Sequence, residues 1–583
     1  MKSQPEDEKT RQLSKTLKIP KAIANVLSVR GLDDKSKAES FFRPSLDRLH
    51  DPFLMKNMDK ASERILQAKN EGEKIWIHGD YDVDGVTSTS LALVFLREMG
   101  IQTEYYIPDR FQDGFGLSKN SVNRANSFGA SLILTVDVGI TAHEELAYAT
   151  ELGIDAIICD HHQTSGQLPD IYAILDPIQE GCEYPFKSLS ACGVVFKLIQ
   201  AVLKKLGREK DANKYLDFVA LSSIADMVPL VDENRIMVYH GLKLINKNTR
   251  PGLQGLIYCT RLKPGSITSA NIGYNIAPMI HAAGRMGDPM RAVDMFIQDN
   301  DLSAFNIAQK LEDENRKRRV YDHETLDEAI PYAEELIKQG RKSLVIHNPN
   351  WHPGIIGIVA SRLVERFSLP TVLMTSIAGY AKGSSRSTKN FNVFEALQKA
   401  HHLMIEYGGH KHAAGLTMEE RNVDELRDIF DAEANKHITN EMMSPEIEID
   451  TALNFNELSP VFFKSLNKIA PFGYDNPKPV FFSKGVRAVS GVKVIGQNNI
   501  KFRAKQNNFV IDAIGFNMAD KVKYCQNGKR FSVIYHLEMN NYNGSSLPQI
   551  FIRDIKPEGQ ENISFLDPNS LREQSRELNG SIA

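Results

Sequence analysis

Lys74-Ile-Trp-Ile-His78-Gly-Asp80-Tyr-Asp82-Val-Asp84-Gly85 and the run that follows it to Met99 decide the architecture. Lys74 to His78, with Ile75, Trp76 and Ile77 at its centre, reads as a short buried strand, and Gly85 to Met99 reads as a helix. A strand that turns directly into a helix is the opening half of a βαβ unit. Moving outward, Ser131-Leu-Ile-Leu-Thr-Val136 and Asp155-Ala-Ile-Ile-Cys159 are two further apolar strands, each separated from the next by a stretch of helical pattern. Strands alternating with helices imply an α/β fold with a parallel sheet covered on both faces. Each strand then ends in groups with chemistry. Asp80, Asp82 and Asp84 follow the first and Asp137 follows the second. Asp160-His161-His162 follows the third, and Asp226 stands near the end of an apolar helix from Asp217 to Met227. Ligands of doubly wound sheets gather beyond the carboxyl ends of the strands. Carboxylates and imidazoles so crowded would repel one another if buried without a counter-charge, and divalent cations remove that penalty. Each cluster alone has a plainer reading: an Asx-capped turn, a surface pair of histidines, a helix-end aspartate. Their common register at strand ends favours the site.

The chain has 583 residues, 42% apolar and 25% charged. At roughly 150 residues per domain this suggests three or four domains, and the composition excludes collagen-like, coiled-coil and wholly disordered classes. No apolar run approaches the roughly 20 residues of a membrane span. The polar start has no signal-peptide character. Five scattered cysteines without a CxxC pair point away from a disulfide framework or a thiolate zinc site. A reduced, cytoplasmic protein is expected. The net charge of −3 hides an asymmetry: Val480 to Lys556 carries twelve Lys/Arg against four Asp/Glu, a surplus of +8 that leaves −11 on the remainder. The same stretch holds Phe481, Phe482, Phe502, Phe509, Tyr524, Tyr535 and Tyr542. Cations for phosphates and flat rings for bases suit single-stranded nucleic acid. An ordinary β-domain with core aromatics and a solvated basic face fits the same residues equally well.

The expected organisation is an N-terminal helical, polar segment (1–45), a catalytic α/β domain (46–300), a charged connecting helix (301–340) interrupted at Pro331, a second α/β domain (341–440), a small β-barrel of OB type (450–556) and a mobile tail (557–583). Ser343-Leu-Val-Ile-His347 and Thr371-Val-Leu-Met374 are strands of the second lobe, with Gly354 to Phe367 helical between them.

These segments resemble the DHH phosphoesterase superfamily, named for the triplet seen here as Asp160-His161-His162, and within it the RecJ branch of single-strand-specific exonucleases. Besides the first acidic motif, Asp113-Gly-Phe-Gly-Leu117, Thr135-Val-Asp-Val-Gly139, Asp226-Met-Val-Pro-Leu230 and Ala282-Ala-Gly-Arg-Met286 follow in the order of that branch. Trp351-His-Pro-Gly-Ile-Ile-Gly357, Gly383-Ser-Ser-Arg-Ser387 and Gly408-Gly-His-Lys-His-Ala-Ala-Gly415 look like its DHH-associated domain (DHHA1), and Pro471-Phe-Gly-Tyr-Asp-Asn-Pro477 like the approach to its OB-type barrel. Val138 and Asp475 depart from the pattern, standing where cysteine and glycine are frequent.

The resemblance implies a two-metal, Mn²⁺-dependent hydrolase, with Mg²⁺ as a substitute, that degrades single-stranded DNA from 5′ to 3′ into 5′-mononucleotides in repair and recombination. It would place one ion on His78, Asp82 and Asp137 and the other on Asp84, Asp137, His161 and Asp226. Asp160 would orient a ring, with His162 and Arg285 facing the phosphoryl charge. Arg110, Ser384, Arg386, Gly409 and His410 would hold the substrate, the first three at its 5′ end. Trp351 and His352 are read as packing residues. A helicase and a single-strand-binding protein are expected partners of a monomer that touches no membrane. Two rivals remain at this stage: a DHH phosphoesterase for short oligonucleotides or small phosphate esters, which typically lacks the basic barrel, and a non-catalytic DHH-fold scaffold, which would have lost its ligands.

Overall fold

The computed structural model describes residues 8–109, 114, 116–163, 166–247, 250–439, 446–489, 491–526, 528–542, 545–560 and 565. Its first sheet holds β1 (Lys74–Gly79), β2 (Gln102–Tyr106), β3 (Leu132–Val136), β4 (Asp155–Cys159) and β5 (Ala173–Leu175). The order is β2-β1-β3-β4-β5, with every pairing parallel. Period-2 alternation sends Ile75 and Ile77 of β1 into the larger core beneath the helices Val83–Glu98 and Ala191–Lys205. Trp76 points to the opposite face, covered by Lys119–Phe128 and His143–Glu151. Strand order reverses between β1 and β3, and a crevice opens there at the carboxyl ends.

The connecting segment is one helix, Asp301–Lys338, about 57 Å long at 1.5 Å per residue. It does not break at Pro331 as the sequence suggested. Pro331 and Asp327, whose carbonyl loses its helical donor there, both lie on the exposed side, where water supplies the missing partner. A narrow buried stripe (Ala304, Ala308, Leu311, Asn315, Asp322, Thr325, Ala329, Ala333) is its only deeply buried surface among the described residues. Its first half packs on the first lobe and its second half on the second lobe.

The second lobe is a mixed sheet of β6 (Leu344–His347), β7 (Thr371–Ile377), β8 (Tyr380–Arg386), β9 (Met404–His410) and β10 (Ala413–Glu419), ordered β6-β7-β8-β10-β9. The last sheet contains β11 (Thr451–Ala452), β12 (Phe481–Ala488), β13 (Lys493–Ile495), β14 (Asn499–Gln506), β15 (Phe509–Gly515), β16 (Phe531–Tyr542) and β17 (Ser545–Pro557). A β12–β14 pairing closes five of these strands into a barrel. Its aromatics settle one open question: Phe481, Phe482, Phe502 and Tyr535 are buried core residues, and Phe509 and Tyr524 are half-buried against that core. The side chain of Tyr542 lies outside the described residues. The rings hold the barrel together, and the exposed surface of β14 is cationic instead, through Lys501 and Arg503.

The N-terminal helices Glu8–Leu17, Lys21–Val29 and Lys35–Phe42 are polar on one side only. Leu13, Ile23, Val26 and Leu27 join a single core with Phe462, Phe481, Val533 and Ile555 of the barrel region. Arg235, 2% exposed, binds this assembly to the first lobe. Its guanidinium donates to the carbonyls of Phe41, Lys468, Ile469, Ala470 and Pro471 at 2.9–3.4 Å and lies 3.7 Å from the centre of the Phe41 ring. Burial, aided by the charge of Arg30, pushes its pKa down to about 9. Arg30 in turn bonds Asn476 and the Pro477 carbonyl, and the Leu230 amide donates to the Tyr474 carbonyl at 2.9 Å. In this clamped approach Asp475 adopts φ +57°, the left-handed conformation that explains glycine's suitability there and that aspartate tolerates.

Candidate active site

The turn after β1 is shaped by Gly85, where a Cβ would fall 2.3 Å from the Asp80 carbonyl oxygen. Only glycine lets the helix start so close to the strand. Asp82 caps that helix, accepting the Gly85 amide at 3.0 Å. Asp84, in the first turn of that helix, points against the amino end of Ala191–Lys205. Its carboxylate accepts the amides of Ala191 (2.8 Å) and Cys192 (2.9 Å) and the hydroxyls of Ser222 (2.7 Å) and Ser88 (3.2 Å). Those donors, two of them amides at a helix amino end, satisfy a buried carboxylate and aim it. After β3, Asp137 takes φ +64°, with its amide held by the Cys159 carbonyl at 3.0 Å. After β4, Asp160 is fully buried and accepts from the amides of Ile140, His161 and His162 and from His162 Nδ1 at 2.7 Å.

His161 Nε2 is the hub: it lies 3.2 Å from Asp137 Oδ1, 3.7 Å from Asp84 Oδ2 and 3.8 Å from Asp226 Oδ2. Three sets of ligand atoms each fall within 4.8 Å of one another: Asp84, His161 and Asp226; Asp137, His161 and His162; and Asp80, Asp82 and Asp137. Asp137 and His161 each belong to two sets. The cluster is starved of positive charge. Burial, then the charges of Asp84 and Asp82, push Asp226 up to about 9. Burial and the neighbouring carboxylates raise Asp137 well above the usual carboxylate range, and burial with Asp84 raises Asp82. Burial works against a charge on His162, but its hydrogen bond to Asp160 and the charges of Asp160, Asp226 and Asp84 together outweigh that and lift the imidazole to about 9. Asp137 Oδ1 is buried without a hydrogen-bond donor. An orphaned carboxylate oxygen among acids and an imidazole fits a divalent cation bound by oxygen and nitrogen ligands.

The structure brings together Asp82, Asp84, Asp137, His161, His162 and Asp226 and places Asp160 behind His162. His78 is different. It shares the Trp76 face of β1, under Lys119–Phe128, and its ring nitrogens meet Ser121 Oγ at 2.7 Å and the Gly116 carbonyl at 3.2 Å. Asp80, two residues on, groups with Asp82 and Asp137. Arg285 sits at the lobe junction, Nη1 donating to the Gly354 carbonyl at 3.0 Å and Nη2 lying 3.5 Å from His281. Arg110 lies outside the described residues. Sequence reasoning passed over Asp176, which ends β5 as the other acids end β1, β3 and β4. Burial, with the nearby charge of Asp160, pushes it up to about 7. The Asp-Pro step after a short apolar run was the available signal.

In the second lobe, Arg386 Nη1 donates to Ser384 Oγ at 2.9 Å. A Cβ on Gly357 would lie 2.9 Å from both Ser384 Oγ and Arg386 Nη2. Gly357 stands in the first turn of Ile356–Phe367, so a guanidinium, a hydroxyl and a helix amino end converge, which is an anion-binding arrangement. Cross-strand register sets Arg386, Ala413 and His410 in one row over β8, β10 and β9. Gly409, at φ +142°, lies where a Cβ would come 2.5 Å from the Ala413 carbonyl oxygen. His410 is exposed. Trp351 is buried, its indole N–H on Glu328 at 2.9 Å, as its packing assignment predicted.

The single-stranded-DNA-specific exonuclease RecJ of Bacillus subtilis is 37% identical to this sequence over 559 residues, covering 94% of this chain and 70% of that protein. The chain belongs to the RecJ family. RecJ of Escherichia coli is 32% identical over 86% of this chain and 91% of its own length. Residues 74–223 match the DHH family N-terminal domain, 340–436 the DHHA1 domain and 449–554 the RecJ OB domain. The crystal structure of RecJ from Thermus thermophilus in complex with Mn²⁺ superimposes with a TM-score of 0.83 at 27% identity, covering 97% of this chain and 80% of that one. The RecJ fold anticipated from the strand-end motifs and the barrel is thus the fold found.

Proposed function

We propose that this chain is a metal-dependent exonuclease that hydrolyses single-stranded DNA from the 5′ end to 5′-mononucleotides, in repair and recombination. The convergence of Asp82, Asp84, Asp137, His161 and Asp226 at the carboxyl ends of one parallel sheet carries this reading. Asp80, Asp82 and Asp137 would hold one divalent cation, and Asp84, Asp137, His161 and Asp226 the other. When bound, such a pair supplies an activated water and neutralises charge on the phosphoryl oxygens. The imidazole ligand favours Mn²⁺ over Mg²⁺, which prefers all-oxygen shells.

The chain's own groups do the rest. The Asp84 carboxylate is fixed by four donors, so its geometry needs no rearrangement during turnover. His162, with Nδ1 on Asp160, turns its other nitrogen outward, where a protonated ring donates to a phosphoryl oxygen as the 3′-oxygen departs. Ser384 and Arg386, beside Gly357, would receive the terminal 5′-phosphate and set the register of the cut. The helix Asp301–Lys338 fixes the spacing of the lobes, and a passage of single-strand width between them would exclude duplex. The cationic surface of β14 would guide the strand in. Action as a monomer, together with a helicase and a single-strand-binding protein, belongs to the same reading. So does a cytoplasmic location, supported by five cysteines that form no disulfide and by the absence of any described helix long and apolar enough to cross a membrane.

Digestion of 5′- or 3′-labelled single and double strands, DNA and RNA, in Mn²⁺ tests the proposal. Release of labelled mononucleotide from the 5′ end of single-stranded DNA alone is expected. Cleavage confined to dinucleotides or small phosphate esters would overturn it.

A further inference from the structure

Tyr321 and His352 form a pair with ring centroids 5.7 Å apart and planes within 12°. The other described aromatic pairs are tilted or edge-on, and most of them lie in cores. This pair is not in a core: Tyr321 remains 43% exposed although one face of its ring lies against the imidazole. The partners come from different parts of the fold. Tyr321 stands midway along Asp301–Lys338, and His352 belongs to the loop between β6 and Ile356–Phe367.

That loop is the seam of the molecule. The Gly354 amide donates to His352 Nδ1 at 3.1 Å, and the Gly354 carbonyl accepts from Arg285 of the first lobe. Three residues on, Gly357 meets Ser384 and Arg386. Five residues of extended chain reach no more than about 18 Å, so the loop positions that meet the ring pair, the junction arginine and the anion cradle all lie within that distance of one another. Next to Tyr321 in the helix, buried Asp322 pairs with Arg362 of the second lobe at 2.9 Å and pins this part of the helix. Burial lowers the pKa of His352, which keeps its ring neutral at neutral pH.

We propose that the Tyr321–His352 stack is the seat of the terminal nucleobase, a substrate-positioning element beside the phosphate cradle. A rigid, exposed ring backed by a second ring offers a π-face to any base, and so gives grip without sequence preference. The hydroxyl of Tyr321 is not needed for this, only the ring. The inference rests on the exonuclease reading above.

The test uses the full chain in Mn²⁺ on 5′-phosphorylated single strands whose first nucleotide is either thymidine or an abasic tetrahydrofuran. Loss of one base stack should lower kcat/KM of the wild type about five- to hundred-fold on the abasic end. Tyr321→Ala should cleave both ends at one rate, near that of the wild type on the abasic end, whereas Tyr321→Phe should keep the full discrimination. A merely structural tyrosine would slow both substrates alike and leave their ratio intact. Equal wild-type rates on the two ends, or an unchanged ratio in Tyr321→Ala, overturn the seat alone. Failure of the wild type to cut either strand overturns the exonuclease reading and the seat with it.

Discussion

Asp226→Asn, studied in protein stripped of divalent cations, separates the electrostatic strain of the cluster from its catalytic use. The Asp226 carboxyl is pushed from 3.8 up to about 9 by burial and by Asp84 and Asp82. The folded chain therefore keeps this proton to higher pH than the unfolded chain does. Its contribution is fully present below about pH 4 and is lost as pH rises towards 9. At about 1.4 kcal/mol per pH unit the whole span bounds the loss at about 7 kcal/mol. Asp82 and Asp137 are raised by the same crowding and relax when one charge is removed, so relief of about 2–3 kcal/mol at pH 9 is the reasonable expectation. Asparagine keeps the shape and never ionises. For a lobe of 150–250 residues, 1 kcal/mol moves Tm by about 2–4 °C, so the variant should melt about 5–10 °C above the wild type at pH 9 in EDTA. The gap should close by pH 5. In saturating Mn²⁺ the order should reverse, because the wild type gains binding energy that the variant lacks. Parallel melting curves in EDTA from pH 5 to 9, or equal stabilisation of both proteins by Mn²⁺, would refute the reasoning.

Asp137→Ala should abolish hydrolysis while leaving single-strand affinity within about threefold in a filter-binding assay, since a carboxylate shared by two ligand sets goes and the barrel stays. Gly357→Ala should raise KM for 5′-phosphorylated strands about tenfold with kcat little changed, because its Cβ forces Ser384 and Arg386 apart; strands lacking the phosphate should show no such penalty. Arg235→Met should cost at least about 3 kcal/mol, as five carbonyls lose one shared cation, and limited proteolysis should then cut between 468 and 477. Removing residues after 450 should weaken long-strand binding, but the product should also aggregate unless residues 8–45 are removed with it, since that cut bares Leu13, Ile23 and Leu27; light scattering of the two truncations checks this.

Local patterns made much of this readable. A strand, a carboxylate at its end and a glycine in the first turn of the helix are neighbours in the chain, so three strand ends and most of the acidic cluster could be anticipated from spacing alone. Cross-strand placement was less accessible. The ring of His78 meets Ser121, which comes from a helix forty residues on. The barrel aromatics were ambiguous because a ring for a core and a ring for a base are the same residue, and only burial distinguishes them. Arg235 was opaque for another reason: it satisfies carbonyls far away in sequence, and a carbonyl leaves no trace in composition. Pro331 misled because its cost depends on whether water can reach the orphaned carbonyl, which is a property of the packed surface.

The shared core of the first helices and the barrel has a cost in time. Leu27 and Ile555 complete one apolar cluster, yet more than 500 residues separate them. A ribosome adding about 5–20 residues per second needs roughly half a minute to nearly two minutes to span that interval. Throughout it the earliest helices carry a bare greasy flank with its counterpart still unmade. Slower translation lengthens that vulnerable window, so recovery of soluble enzyme should depend on elongation speed and on how well holdases occupy the nascent chain.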